Sequence, residues 1–378
     1  MPMWQWKAIQ EVLFLEASDT QLTEVVPQKV LDHFAKVIQH ERDQAALKEI
    51  GIYINYVRPF IFKEKKLYVV GNKFFRDRPP KETFHQFIVF YLKMLLGEDW
   101  YNDNINDTQP HFIVTCFIKA IEWQRRVSIR ENASDGWKAV PDGFTRYLLA
   151  LAFDVATLEH TTQIPKSLIK RLKNKNEYQG VRYELAIAAI FARLDCEISF
   201  LEDKSKPHCE FIARSRSTGI EIAVEVKSRH RPGIIHTPGN ASEEELLKGD
   251  IASLLRDALR QNPGDKPFMI FVDLNSPTTP NLPVEDKPWL RDLVNAVEGS
   301  GTPTPGSPSL FNAIVFTNYS FHYQADHDSH GGEYFVAVPV NPKYILPSFE
   351  FMDMLNRALN HYGNVPDIKE QKWSEDER

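Results

Sequence analysis

The chain has 378 residues, 43% of them apolar and 25% charged, with a formal net charge of −6. That length can bury one large core or two ordinary ones and favours two domains, while the acidic balance gives no global case for nucleic acid. Three widely spaced cysteines, Cys116, Cys196 and Cys209, exclude a disulfide framework and a CxxC zinc site, and no stretch approaches the length of an apolar membrane span.

The first residues, MPMWQWKAIQEV, lack a basic region followed by an apolar one, so an unsecreted, cytoplasmic protein is expected. Helical spacing of Val25, Val30, Leu31, Phe34 and Val37 predicts helix within residues 4–47. Short β-prone patches follow at 52–61 and 66–70. Residues 83–96 return to helix, with Phe84, Phe87, Tyr91 and Leu95 on one side and Gly97 as a stop. After an Asn- and Asp-rich loop at 100–107, two further apolar helices are expected at 112–130 and 144–158. Residues 1–165 therefore read as a mainly helical N-terminal domain without a catalytic motif.

The charge then changes locally: residues 165–235 hold 14 Lys and Arg against 9 Asp and Glu. The segment 166–175, KSLIKRLKNK, is a basic helical run, either a solvated face or a phosphate contact. It leads into a helix through residue 194 in which Glu184 stands among Tyr183, Leu185, Ile187 and Ile190. A carboxylate there must reach solvent, on a polar face shared with Arg182 and Arg193, or find a partner. A first strand follows at 196–201.

Residues 206–231, KPHCEFIARSRSTGIEIAVEVKSRHR, read as a β-hairpin around the small polar turn RSRSTG. Alternation sends Glu221, Ala223, Glu225 and Lys227 to one face and Ile220, Ile222, Val224 and Val226 to the other. A loop centred on Ser217 and Thr218 puts Glu210 directly opposite Glu225, and a three-residue loop ending on Gly219 puts them diagonal. Like charges so placed destabilise a sheet, so the pair asks for a cation beyond Lys227, and oxygen ligands suit a hard divalent metal.

Glu225-Val226-Lys227 at a strand end, an acid fifteen positions earlier and a glutamate on the preceding helix together resemble the PD-(D/E)XK nuclease superfamily, over roughly residues 176–273. The resemblance implies a restriction endonuclease-like core, with Glu210, Glu225 and the Val226 carbonyl on Mg2+ or Mn2+, and Lys227 orienting the attacking water. It also implies Glu184 beside the metal site and Gln261, at the end of the next helix, as a further site residue. Two departures stand out. The family's proline-aspartate pair is here Pro207-His208-Cys209-Glu210, and the extra methylene of Glu210 moves its carboxylate by roughly 1.5 Å.

Beyond the hairpin, Arg229, His230 and Arg231 open a loop that could bind phosphate backbone or be a plain polar connection. A capping box at Ser242 starts a helical stretch running to Gln261, and 267–273 is a near-continuous apolar strand of the kind covered on both faces. The Pro-, Gly- and Ser-rich stretch 277–308 reads as an exposed, mobile insertion with room for a short helix at 289–297. Strands at 311–317 and 334–340, a helix at 348–361 and a frayed charged tail close the chain. The loop 321–330 gathers His322, His327, His330, Asp326 and Asp328 without a defensible ligand spacing, and no Walker loop, GxSxG or HExxH occurs.

The expectation is thus an α/β fold with a mixed central sheet flanked by helices at 166–362, after a helical domain at 1–165 and before a tail at 363–378. The activity expected is metal-dependent hydrolysis of phosphodiester bonds, of DNA before RNA, as in restriction, repair or antiviral defence, with a homodimer or a partner protein left open. The competing reading is an inactive nuclease scaffold serving as a binding or interaction module.

Overall fold

The structure, a computed structural model, describes residues 28–53, 56–62, 65–131, 139–201, 208–300, 307–324 and 329–372. The chain divides into two compact units, Met1–Ala45 and Ala46–Arg378. The described residues of the first lie in helix α1 (Gln28–Glu49), whose last turn belongs to the second. No helix among the described residues is long and apolar enough to cross a membrane.

The second unit opens with an antiparallel sheet of β1 (Pro59–Phe62), β2 (Lys65–Val70) and β3 (Lys73–Arg78). Helices α2 (Phe84–Leu96), α3 (Glu98–Ile105), α4 (Phe112–Glu131), α5 (Gly143–Thr161), α6 (Lys166–Leu172) and α7 (Tyr178–Arg193) follow. Their ends obey local chemistry. Thr83 and Gln86 form a capping box on α2, Gly97 closes it at φ +90°, and the Asp142 carboxylate caps α5 by accepting from the Thr145 N–H.

The main sheet has six strands in the order β4-β5-β6-β7-β8-β9: β4 (Cys196–Phe200), β5 (Phe211–Ser215), β6 (Glu221–Ser228), β7 (Phe268–Asp273), β8 (Ala313–Asn318) and β9 (Glu333–Ala337). The β6-β7 and β7-β8 pairs are parallel and the rest antiparallel, a mixed sheet as expected. Alternation splits its side chains between two cores. Ile222, Val224, Val226, Met269 and Phe271 share one cluster with Tyr183, Ile187 and Phe191 of α7. Ala223, Ile270 and Val272 share the other with Leu255 of α9 (Ala252–Leu259) and Leu293 of α10 (Leu290–Gly299). Both faces of β7 and β8 are therefore buried, which explains their uninterrupted apolar sequences. Short α8 (Glu243–Leu247) precedes α9, and α11 (Phe349–Asn360) packs Phe351 and Leu355 into the first core.

Three expectations change. The boundary at 165 falls inside one compact unit, because Leu151, Phe153 and Val155 of α5 enter the same cluster as α7 and the large sheet. The 277–308 stretch is no loose insertion over its described part: Trp289, 1% exposed, and Leu293 fill the second core, and buried Lys287 pairs with Glu333 at 2.5 Å. Proline-rich composition masked these few anchoring residues; residues 301–306 lie outside the described set. The tail, finally, is ordered from 368 as far as Lys372, where β10 (Gln371–Lys372) pairs in parallel with β1; residues 373–378 lie outside the described set.

Candidate functional site

The β5-β6 hairpin fixes the site. Its register pairs Phe211 with Val224, Ile212 with Ala223 and Arg214 with Glu221; beyond Phe211 the strand bulges, so the expected direct pairing of Glu210 with Glu225 gives way to Glu210 beside the Val224 carbonyl. The loop is wider than either expected form: the Ser215 N–H donates to the Ile220 carbonyl at 2.9 Å, the Gly219 N–H donates back to Ser215 at 2.8 Å, and Gly219 adopts φ +73°. Widening the loop evenly on both strands preserves the register. Glu210 precedes β5: its carbonyl accepts from the Leu201 N–H on the β4 side, while its N–H donates to the Val224 carbonyl, so that Glu210 and Phe211 both oppose Val224, a bulge that sends Cys209 and Phe211 to opposite cores. Pro207 lies outside the described residues.

Glu225 is 1% exposed, and neither carboxylate oxygen has a well-aligned hydrogen bond. Lys227 Nζ lies 2.5 Å from Oε1, close enough for an ion pair but not aligned as a hydrogen bond. With 23% of its side chain exposed, Lys227 joins this buried carboxylate to solvent. Burial, reinforced by the Glu210 charge and opposed by Lys227 and the Glu210 backbone N–H, pushes the Glu225 carboxyl up to about 7.

Helix α7 brings the third acid. Glu184 is buried, and burial first and the Glu210 charge second push its carboxyl well above the ordinary range, with Glu225 adding in the same direction. Its counter-charge is Arg171 of α6, whose Nη1 lies 3.3 Å from Oε2. Arg182 and Arg193, expected to share a polar face with Glu184, are instead buried elsewhere. Arg182 donates to the Tyr319 carbonyl at 2.9 Å and approaches Asp273 at 4.0 Å, and Arg193 pairs with Asp154 at 2.9 Å. The structure therefore brings Glu184, Glu210, Glu225 and Lys227 into one electrostatic cluster. Val226 stands between the last two with its side chain in the opposite core. The hard oxygen donors available to a cation are the carboxylates of Glu210 and Glu225.

The basic loop behaves differently from expectation. Arg231, 1% exposed, donates to the carbonyls of Leu274, Asn275, Glu245 and Lys248 at 2.6–3.2 Å. Arg229 pairs with the Asp250 carboxylate and donates to its carbonyl. Both guanidinium groups clamp the connection from β6 to α9 and are not free for phosphate, leaving exposed His230 alone of the three. Gln261 lies past the end of α9, which runs from the carboxyl end of β6 back to the start of parallel β7, and so sits at the strand end away from Lys227. Its side-chain oxygen is buried without a partner there. Of the 321–330 loop, residues 325–328 are outside the described set, and His322 is packed between Phe112, Tyr147 and Tyr323. Among the described residues no three His, Cys, Asp or Glu side chains form a ready-made metal cage.

Two groups escaped the sequence reading. Arg171 was submerged in the lysine-rich run around it. Asp273, ending an apolar strand, accepts from the Tyr319 N–H and the Ser228 hydroxyl at the carboxyl ends of the strands. Its position at the close of a buried strand was the available signal. Compared with protein-family models, curated proteins and solved structures, the chain matches none.

Proposed function

We propose that this chain is a metal-dependent phosphodiesterase acting on nucleic acid, with DNA the first substrate to test. The observation that carries the reading is Glu225: a buried carboxylate without a well-aligned hydrogen bond, in the field of Glu210 and Glu184 and approached by the Lys227 ammonium and the Glu210 backbone. Three carboxylates here share two counter-charges, Lys227 and Arg171; such a partly compensated buried cluster is costly in a merely structural role and suits a site completed by a cation.

The donor set fits a hard divalent ion held by Glu210, Glu225 and the Val226 carbonyl together with water and substrate oxygens, the incomplete coordination typical of magnesium. Mg2+ or Mn2+, when bound, supplies a lowered pKa for coordinated water and neutralises charge on the reacting phosphate. Lys227 is anchored on Glu225 and reaches solvent, so its ammonium orients the incoming water and offsets negative charge growing on the phosphoryl oxygens. Glu184 keeps its proton into the neutral range, which limits repulsion against Glu210 before substrate arrives.

The test is incubation of wild type and Lys227→Ala with plasmid, linear and single-stranded DNA and with RNA, each with Mg2+, Mn2+ or chelator. Metal-dependent cleavage by wild type and its loss by at least about a hundredfold in Lys227→Ala, with melting unchanged, is the expected result. No cleavage of any substrate, together with no metal-induced stabilisation, overturns the reading in favour of an inert scaffold.

A further inference from the structure

On the far side of α6 from Arg171 lies a cavity of about 620 Å3 between the β2-β3 turn, α2, the end of α5 and α6. Four lysines line it. Lys166, Lys170 and Lys173 project from α6 and its C-cap at spacings of four and three, one face of the helix, and Lys73 opens β3 across the gap. The single carboxylate, Glu159, is already committed: it accepts from Lys73 Nζ and the Tyr91 hydroxyl at 3.0 Å each and from the Ile164 N–H at 2.9 Å. Among the described residues, Lys166, Lys170 and Lys173 have no ion-pair partner, so three ammonium groups share one cavity uncompensated. Like charges at this spacing destabilise a helix, and no ion pair among the described residues offsets them.

The wall is rigidly built. Gly71, at φ +57°, lets the turn pass so close to α5 that an added Cβ would lie 2.6 Å from the Glu159 carbonyl, and its N–H donates to His160 Nδ1 at 3.2 Å. The apolar part of the lining comes from Val70 and Leu95 across the gap and from Ile169 on α6. The volume is that of a small-molecule site and far exceeds one phosphate.

We infer that this cavity binds a nucleotide, its phosphates held by Lys166, Lys170 and Lys173 and its base against the apolar wall. The phosphoryl oxygens could come from a free nucleoside triphosphate or from the 5′-phosphorylated end of a strand. Compact ammonium groups suit either as point charges. The inference stands on the cavity alone and is independent of the phosphodiesterase reading.

Calorimetric titration of the full chain with ATP, and with one oligonucleotide in 5′-phosphorylated and 5′-hydroxyl forms, decides it. Saturable binding of ATP or of the phosphorylated strand is expected, weakened by about tenfold or more in the double variant Lys166→Glu, Lys170→Glu and by rising salt. Both positions are exposed, so circular dichroism should match wild type. Lys170→Gln should give a smaller loss of the same sign and replaces the double variant if that fails to fold. Tighter binding of ATP assigns the free nucleotide, and tighter binding of the phosphorylated over the hydroxyl strand assigns the strand end. Absence of saturable binding by both, or binding that is insensitive to the lysine substitutions, overturns the inference.

Discussion

Glu225 and Arg231 are six residues apart, carry opposite charges and are equally buried, yet their surroundings differ completely. Arg231 turns its guanidinium onto four backbone carbonyls, the Nε–H shared between Leu274 and Asn275, so a charge withdrawn from water is met by aligned dipoles. Glu225 has an adjacent ammonium, two nearby carboxylates and no aligned donor. The contrast teaches which charge holds the fold and which is held by it. A satisfied charge rigidifies its surroundings, whereas an unsatisfied one survives only where the structure elsewhere over-determines it, a pattern that clusters at functional sites.

The largest expected effect comes from breaking the satisfied side. Arg231→Met should cost about 3–5 kcal/mol of unfolding free energy, because the buried carbonyls on α8, the turn after it and the end of β7 lose their donors together. Urea denaturation measures it. A loss below about 1 kcal/mol would show that water replaces the guanidinium and that the contrast with Glu225 is shallower than the geometry implies.

The unsatisfied side should respond in the opposite direction. Glu225 has a folded pKa of about 7 against an ordinary 4.5, so its favourable contribution is complete below about pH 4.5 and is lost as pH rises through 7. In metal-free protein Glu225→Gln should therefore be neutral near pH 4 and stabilising at pH 8, by at most about 3 kcal/mol at about 1.4 kcal/mol per tenfold change in proton affinity. Melting curves across this range check it; equal destabilisation at both pH values would mark Glu225 as a packing residue. Divalent metal should reverse the order: Mn2+ at about a hundred times its dissociation constant adds about 2.7 kcal/mol to wild type and nothing to Glu225→Gln or Glu210→Gln. Stabilisation of the variants to the same extent would place the ion elsewhere.

The same contrast explains what could be read from sequence. Period-two alternation located the Glu225 and Lys227 face, and the hairpin register from Arg214 to Phe211 followed from chain symmetry about Ser217 and Thr218, because a loop widened equally on both strands leaves partners unchanged; the bulge at Glu210 was not legible. The apolar runs of β7 and β8 announced strands covered on both faces. Tertiary bookings of charge were illegible. Nothing in Ser-Arg-His-Arg tells that its arginines turn inward to carbonyls some 14 to 44 positions away, nor that Arg182 and Arg193 leave the Glu184 face for Asp273 and Asp154. Composition likewise hid Trp289, one anchor in a proline-rich stretch.

The smallest expected effect probes how the third acid is held. Arg171 is the only cation in ion-pair contact with Glu184 among the described residues, and its side chain is 28% exposed, so solvent screens the pair. Arg171 lowers the Glu184 pKa against burial and the Glu210 charge, and removing it lets the folded pKa rise further. At pH 5 the carboxyl is protonated with or without Arg171, and Arg171→Gln should change stability by no more than a few tenths of a kcal/mol. At pH 9 the carboxylate loses its counter-charge, and the same substitution should cost about 1 kcal/mol in metal-free protein. Added Mn2+ should shrink that difference, since a cation near Glu210 screens the repulsion that Arg171 opposes. A loss equal at pH 5 and pH 9 would assign Arg171 to its other contact, Glu177 at 3.6 Å, and would detach α6 from the carboxylate cluster.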